Sequence, residues 1–153
     1  FSASARVALD RAAELARIHD ARLTLLHVIE IPVSYSGDPP VADLVPVLDK
    51  QAAELLDRWA TETAARLPVP VNTRCRIGRA GAETIAVLDD DHSIDLVVVG
   101  SHGRTGIKRA LLGSVAEKVV RHAKCPVLVA RTPRSRPDTG CAGIAPRARR
   151  GGP

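Results

Sequence analysis

Aromatic residues are almost missing from this chain: one Phe, one Trp and one Tyr among 153 residues. Platforms that read single-stranded nucleic acid stack bases on such rings, so a nucleic-acid partner is not expected, and the core must be assembled from Val, Leu, Ile and Ala. Long apolar runs are missing too. None approaches the length of about 18 residues that crosses a bilayer, which predicts a soluble, cytoplasmic protein with no membrane partner. Cysteine is sparse and unpaired in pattern: Cys75, Cys125 and Cys141 form no C-x-x-C, so neither a disulfide framework nor a zinc site is indicated, and a reducing compartment fits. His19, His27, His92, His102 and His122 have no ligand-like spacing with Cys or Asp, so no metal site is expected. The common phosphate motifs G-x-x-x-x-G-K-[ST] and G-x-G-x-x-G do not occur, which removes the P-loop NTPases and the nicotinamide dehydrogenases. Phe1 to Ile18 is amphipathic, but it carries Asp10 and Glu14, acids that transit peptides avoid, and reads as a domain helix.

What is present is a chain of one-domain length, which at this size buries about 70% of its unfolded surface. The net charge is +5, and its position matters more than its size. Six Arg and one Asp lie from Arg131 onward, while the basic and acidic residues of Phe1 to Ala130 cancel. Residues 132–153 are rich in Arg, Pro and Gly with almost no apolar periodicity. Such a segment cannot bury enough surface to offset its ordering entropy, so the expected organisation is one domain over 1–131 followed by a disordered tail.

Along the domain, hydrophobic periodicity predicts alternating elements. Ser4 to Ile18 places Ala5, Ala8, Leu9, Ala12, Leu15 and Ala16 on one helical stripe, with Ser2 as N-cap. Arg22 to Glu30 reads as a strand buried on both faces. Ile31 to Pro46, with four prolines, reads as a long irregular loop. Val47 to Leu67 has helical spacing and ends at Pro68, with Trp59 read as core. Val69 to Ile77 is a strand, Gly78 to Gly81 a turn and Ala82 to Asp90 a helix. Asp95 to Gly100 is the strongest strand, Val115 to Ala123 a helix and Pro126 to Arg131 a last strand. Near-continuous apolar strands alternating with helices imply a parallel sheet covered on both sides.

Val97 to Val115 reads V-V-V-G-S-H-G-R-T-G-I-K-R-A-L-L-G-S-V, with Gly100, Gly103, Gly106 and Gly113 between a strand and a helix. In open α/β sheets ligands bind beyond the carboxyl ends of strands, where glycine lets backbone N–H groups approach phosphate. Ser114 followed by Glu117 reads as a capping box that starts the last helix there. On spacing alone a tight turn and a phosphate cradle fit equally well.

The spacing Gly100-x2-Gly103-x9-Gly113-Ser114, flanked by V-V-V-G-S-H-G and K-C-P-V-L-V-A-R, resembles the nucleotide-binding signature of universal stress proteins. L-L-H-V-I at Leu25 to Ile29 and the opening F-S-x-S-A-x-x-A-L-x-x-A-x-x-L-A resemble the same family's second strand and first helix. The resemblance implies a Rossmann-like, adenine nucleotide alpha hydrolase-like open parallel sheet of order 3-2-1-4-5, and a homodimer paired through Pro126 to Arg131. It implies ATP as ligand, with Mg2+ as an optional companion. The triphosphate would lie against Gly100, His102, Gly103, Gly113 and Ser114, with Val115 adding a backbone donor. Val28 would meet adenine through its backbone and Val99 would line the base or ribose. The family's first strand, and the Asp that ends it and contacts adenosine, would precede Phe1; the expectation is that this sequence is a fragment without its central strand.

The function expected is that of an ATP-binding regulator or sensor of the stress response. Catalysis is not evident, since Ser101, His102 and Ser114 have no obvious carboxylate to orient them, and slow ATP hydrolysis is the most that is expected. Arg104, Lys108 and Arg109 read as a solvated basic face. The alternative is a non-nucleotide dimerisation or protein-interaction module of the same fold.

Overall fold

The first helix forms where its small apolar residues recur at helical spacing. In the computed structural model, which describes residues 1–31, 45–67, 70–101 and 112–131, helix α1 spans Ala3–His19 and buries Ala8, Leu9, Ala13 and Ala16. The Ser2 side-chain oxygen accepts from the Ala5 N–H at 3.1 Å, the expected N-cap. At the other end Asp20 adopts φ 50°, ψ 40° and donates its N–H to the Ala16 carbonyl, a left-handed cap that Asp tolerates better than most residues.

Strand β1 is Leu23–Ile29, helix α2 Val45–Ala64, strand β2 Val71–Ile77, helix α3 Ala80–Asp90, strand β3 Val97–Gly100, helix α4 Ser114–His122 and strand β4 Val127–Ala130. The order is the alternation read from the sequence. Helix α2 starts two residues earlier than expected, with Pro46 inside its first turn, where proline removes only an N–H that has no helical acceptor. Helix α3 likewise starts early and absorbs Gly81, because the Glu30 carboxylate at the end of β1 accepts from the Ala80 N–H at 2.8 Å and caps it from outside. Most of the expected loop at 31–46, and all of the tail at 132–153, lie outside the described residues.

The strands pair in parallel, as expected of an α/β fold: β1 with β2 from Leu23↔Val71 to Ile29↔Ile77, and β3 with β4 from Val97↔Val127 to Gly100↔Ala130. Among the described residues no ladder joins β1 to β3. Helix α1 packs on β1, β3 and β4, and so spans both pairs. The expectation that β1 is buried on both faces is corrected accordingly: six of its seven residues are half-buried and Ile29 alone is buried, because among the described residues β1 has a strand on one side only.

Side chains alternate along a strand. Leu23 packs on Ala13, Ala16 and Leu67, and His27 meets Phe1, so the odd-numbered side chains of β1 face α1 and α2. Helix α3 packs on β1 and on α4. Val119 of α4 is the most enclosed apolar residue, with no exposed surface.

Candidate functional site

Backbone bonds join the carboxyl end of β3 to the start of α4. The Ser101 N–H donates to the Ala130 carbonyl at 2.8 Å and extends the ladder by one residue, and the Gly113 N–H donates to the Ser101 carbonyl at 2.8 Å. Ser101 is 2% exposed. The chain therefore leaves β3 and returns onto its own end, which brings Gly100, Gly113, Ser114 and Val115 together. His102 and Gly103, together with Gly106, Arg104, Lys108 and Arg109, lie outside the described residues.

The cap of α4 differs from the expected capping box. Gly113, at φ −64° and ψ 151°, is the N-cap and supplies no side chain; Ser114 is the first helical residue. The box fails at both of its bonds: the Glu117 N–H that a Ser114 side chain would accept donates instead to the Gly113 carbonyl at 2.8 Å, and the Glu117 carboxylate turns to Arg121 at 2.7 Å. The first-turn N–H groups of Ser114, Val115 and Ala116 have no acceptor within the helix, and they carry the positive end of its dipole. Helix α1 closes its N-terminus with Ser2 and α3 with Glu30. Among the described residues helix α4 has no side-chain cap, and Ser114 and Val115 are exposed at its mouth.

Hydrogen-bond direction separates Val28 from Val99. The Leu23 N–H donates to the Pro70 carbonyl at 3.3 Å and the Ile29 carbonyl accepts from the Gly78 N–H at 3.0 Å, so the odd-numbered residues of β1 turn their polar groups to β2. By the alternation of a parallel ladder, Thr24, Leu26 and Val28 turn theirs away. In β3 the Val97 N–H donates to Pro126 and the Ser101 N–H to Ala130, so Val99 gives its backbone to β4 while Val98 and Gly100 point away. Val28 thus has the backbone direction that a contact with a base needs, and Val99 offers only its half-buried side chain.

The start of α1 touches both strands. Phe1 stacks on His27 with ring centroids 4.3 Å apart and meets Trp59 edge-on at 5.1 Å. Arg6 lies 4.2 Å from the centre of the Trp59 ring and pairs with Glu62 at 2.8 Å. A side chain at Gly100 would lie 2.7 Å from the Ser4 carbonyl oxygen. Trp59, read as core, is half-buried in this cluster. Sequence reasoning missed Ser4, whose signal was a small residue in the first turn of a helix that must pass a strand-ending glycine.

Two perturbed groups lie elsewhere. The Asp91 carboxyl is held below its usual range, first by the Ser93 hydroxyl, which donates at 2.6 Å, and then by Arg74. Burial, and then the Asp49 carboxylate, push the Cys75 thiol up. Neither group belongs to the mouth of α4. Among the described residues no cluster of His, Cys, Asp or Glu could hold a metal ion, and no helix is long and apolar enough to cross a membrane. A cavity of about 530 Å³ along α1, lined by residues that include Asp10, Arg17, Arg66 and Leu67, shares no residue with the site.

Comparison with known proteins agrees with this architecture. The profile of the Universal stress protein family matches residues 1–131. Universal stress protein A homolog 2 of Coxiella burnetii is 36% identical over 130 residues, covering 84% of this chain and 86% of that protein. The universal stress protein UspA from Lactobacillus plantarum superposes with TM-score 0.71 at 29% identity, covering 85% of this chain and 91% of that one. A universal stress protein solved in complex with cAMP superposes with TM-score 0.65 at 26% identity, covering 86% and 92%.

Proposed function

This chain belongs to the universal stress protein family, and we propose that it binds ATP at the mouth of α4 and serves as a nucleotide-dependent regulator or sensor in the stress response. The observation that carries the reading is the N-terminus of α4, whose N-cap is a glycine with no side chain and which is seated on the end of β3 by the bond from Gly113 to Ser101. A phosphate accepts there from the first-turn N–H groups of Ser114 and Val115, and a glycine cap leaves room for it. Gly100, His102 and Gly103 complete the triphosphate cradle, the Val28 backbone meets adenine and Val99 lines the ribose. A family member that binds cAMP supports an adenine nucleotide as the ligand class. Mg2+, when it accompanies ATP, is held through the phosphates, in keeping with the lack of a carboxylate cluster among the described residues. Binding holds and orients phosphate here, and the nucleotide acts as signal.

The test is acid release of nucleotide from the freshly purified chain, quantified by chromatography with circular dichroism as the folding control. One ATP or ADP per chain is the expected result. A folded sample that neither carries nucleotide nor takes up added ATP points instead to an interaction module.

We assign the homodimer contact to Pro126 to Arg131. Leu128 is 37% exposed and Leu96 39%, and among the described residues β4 pairs on one side only, an apolar edge suited to a second copy. In light scattering the chain should have twice its own mass, and Leu128→Lys should return it to monomer.

A further inference from the structure

We propose that Gly100 is a positioning glycine that sets the adenine side of the site against its phosphate side by letting the first turn of α1 close on β3; this rests on the nucleotide reading above. Three observations converge on this role. The space a Cβ would need at Gly100 is taken by the Ser4 carbonyl oxygen at 2.7 Å, its carbonyl carbon at 2.8 Å and the Ser4 Cβ at 2.9 Å. Two of those atoms are backbone, so no rotamer change relieves the contact. Gly100 itself cannot retreat, because it is in register with Ala130 and the next residue is bonded to Ala130 on one side and to Gly113 on the other.

An added methyl therefore moves α1. Three residues before Ser4, the same turn carries Phe1, which stacks on His27 beside Val28. The α1 start is thus a bridge with one foot on β3 at the phosphate side and the other on β1 at the adenine side. Displacing it shifts the adenine side relative to the cradle while the bond from Gly113 to Ser101, which seats α4, is untouched. The glycine is needed for what lies behind it, in addition to any contact its own backbone makes with phosphate.

The experiment compares the full chain with its Gly100→Ala variant. Adenosine and tripolyphosphate are each measured as competitors of a fluorescent ATP analogue, with circular dichroism as the folding control. The expected result is an adenosine affinity that falls about tenfold more than the tripolyphosphate affinity, the scale of a 1.4 kcal/mol overpacking strain. Trp59 supplies a second reading without any ligand. It is the chain's single Trp, and Phe1 and Arg6, which flank its ring, both ride on the start of α1, so its emission should shift in Gly100→Ala and move back when Ser4→Gly is added. Equal losses for both competitors with unchanged Trp59 emission would overturn the proposal and leave Gly100 an ordinary phosphate contact. Should the unsubstituted chain bind neither competitor, the nucleotide reading fails by itself, and the Trp59 shift still decides whether Gly100 positions α1. If Gly100→Ala does not fold, Phe1→Leu removes the stack on His27 without crowding β3; selective loss of adenosine there supports the bridge, and equal affinities overturn it.

Discussion

Strands β1 and β2 run for seven residues each, and the outer one carries Arg74 and Arg76, which reach Asp91 and Asp90 at the end of α3. Strands β3 and β4 run for four residues each and carry no charge. The first pair is tied to its surroundings by side chains: Arg74 to Asp91 and Glu30 to the Ala80 amide. The second is tied by burial and backbone: Val119 with no exposed surface, Ser101 to Ala130, Gly113 to Ser101. The candidate site sits on the second pair. An anion site made of main-chain groups would need a frame without competing side chains, and the half that carries the candidate site is the plain one.

The comparison can be broken most severely at Gly113. Its φ and ψ are open to any residue, so Gly113→Val should keep its helical signal and yet release no nucleotide on acid treatment, because a branched side chain takes the place of the phosphate. Val119→Ala should come next, lowering stability by about 2 kcal/mol in chemical denaturation, since two enclosed methyl groups go and a cavity stays. That loss falls on the plain half. The smallest effect belongs to the charged half. Asp91 has its pKa depressed in the folded state, first by Ser93, so its contribution is present above the ordinary carboxylate value of about 3.9 and is lost as pH falls through the lower folded value. Ser93→Ala should therefore move the acid-unfolding midpoint to higher pH, with stability at pH 7 hardly altered by this exposed group. Nucleotide binding near neutral pH should not follow it; if it did, the two halves would not be independent.

Much of this was legible in advance, for reasons that differ by residue. Alternation of apolar strands with helical stripes located all the described elements, because burial on one face imposes its period on the sequence. The Ser2 cap was legible because a side chain makes it. The α4 cap was misread because Ser114 and Glu117 have the right types at the right spacing, while the deciding fact, that the Glu117 N–H goes to the carbonyl of Gly113, itself held to Ser101, is a matter of backbone bonds with no side-chain signature. Glu30 was missed for a related reason: it caps a helix 50 residues further along the chain. The half-buried state of β1 was illegible as well, since an apolar run reports what a strand can bury and says nothing of whether a neighbour lies on each side of it. The motif residues Gly100, Gly113 and Ser114 were found together, but the contact of Gly100 with Ser4 joins elements far apart in sequence.

The alternation of backbone direction along β1 makes that strand a recorder in deuterium exchange. The amides of Leu25, His27 and Ile29 are turned into the ladder with β2 and should exchange only when that ladder opens. Those of Thr24, Leu26 and Val28 point the other way and answer to whatever occupies that side. Added nucleotide should then slow the Val28 amide and leave His27 and Ile29 as they were, so neighbouring residues on one strand would tell a ligand apart from a general tightening of the fold.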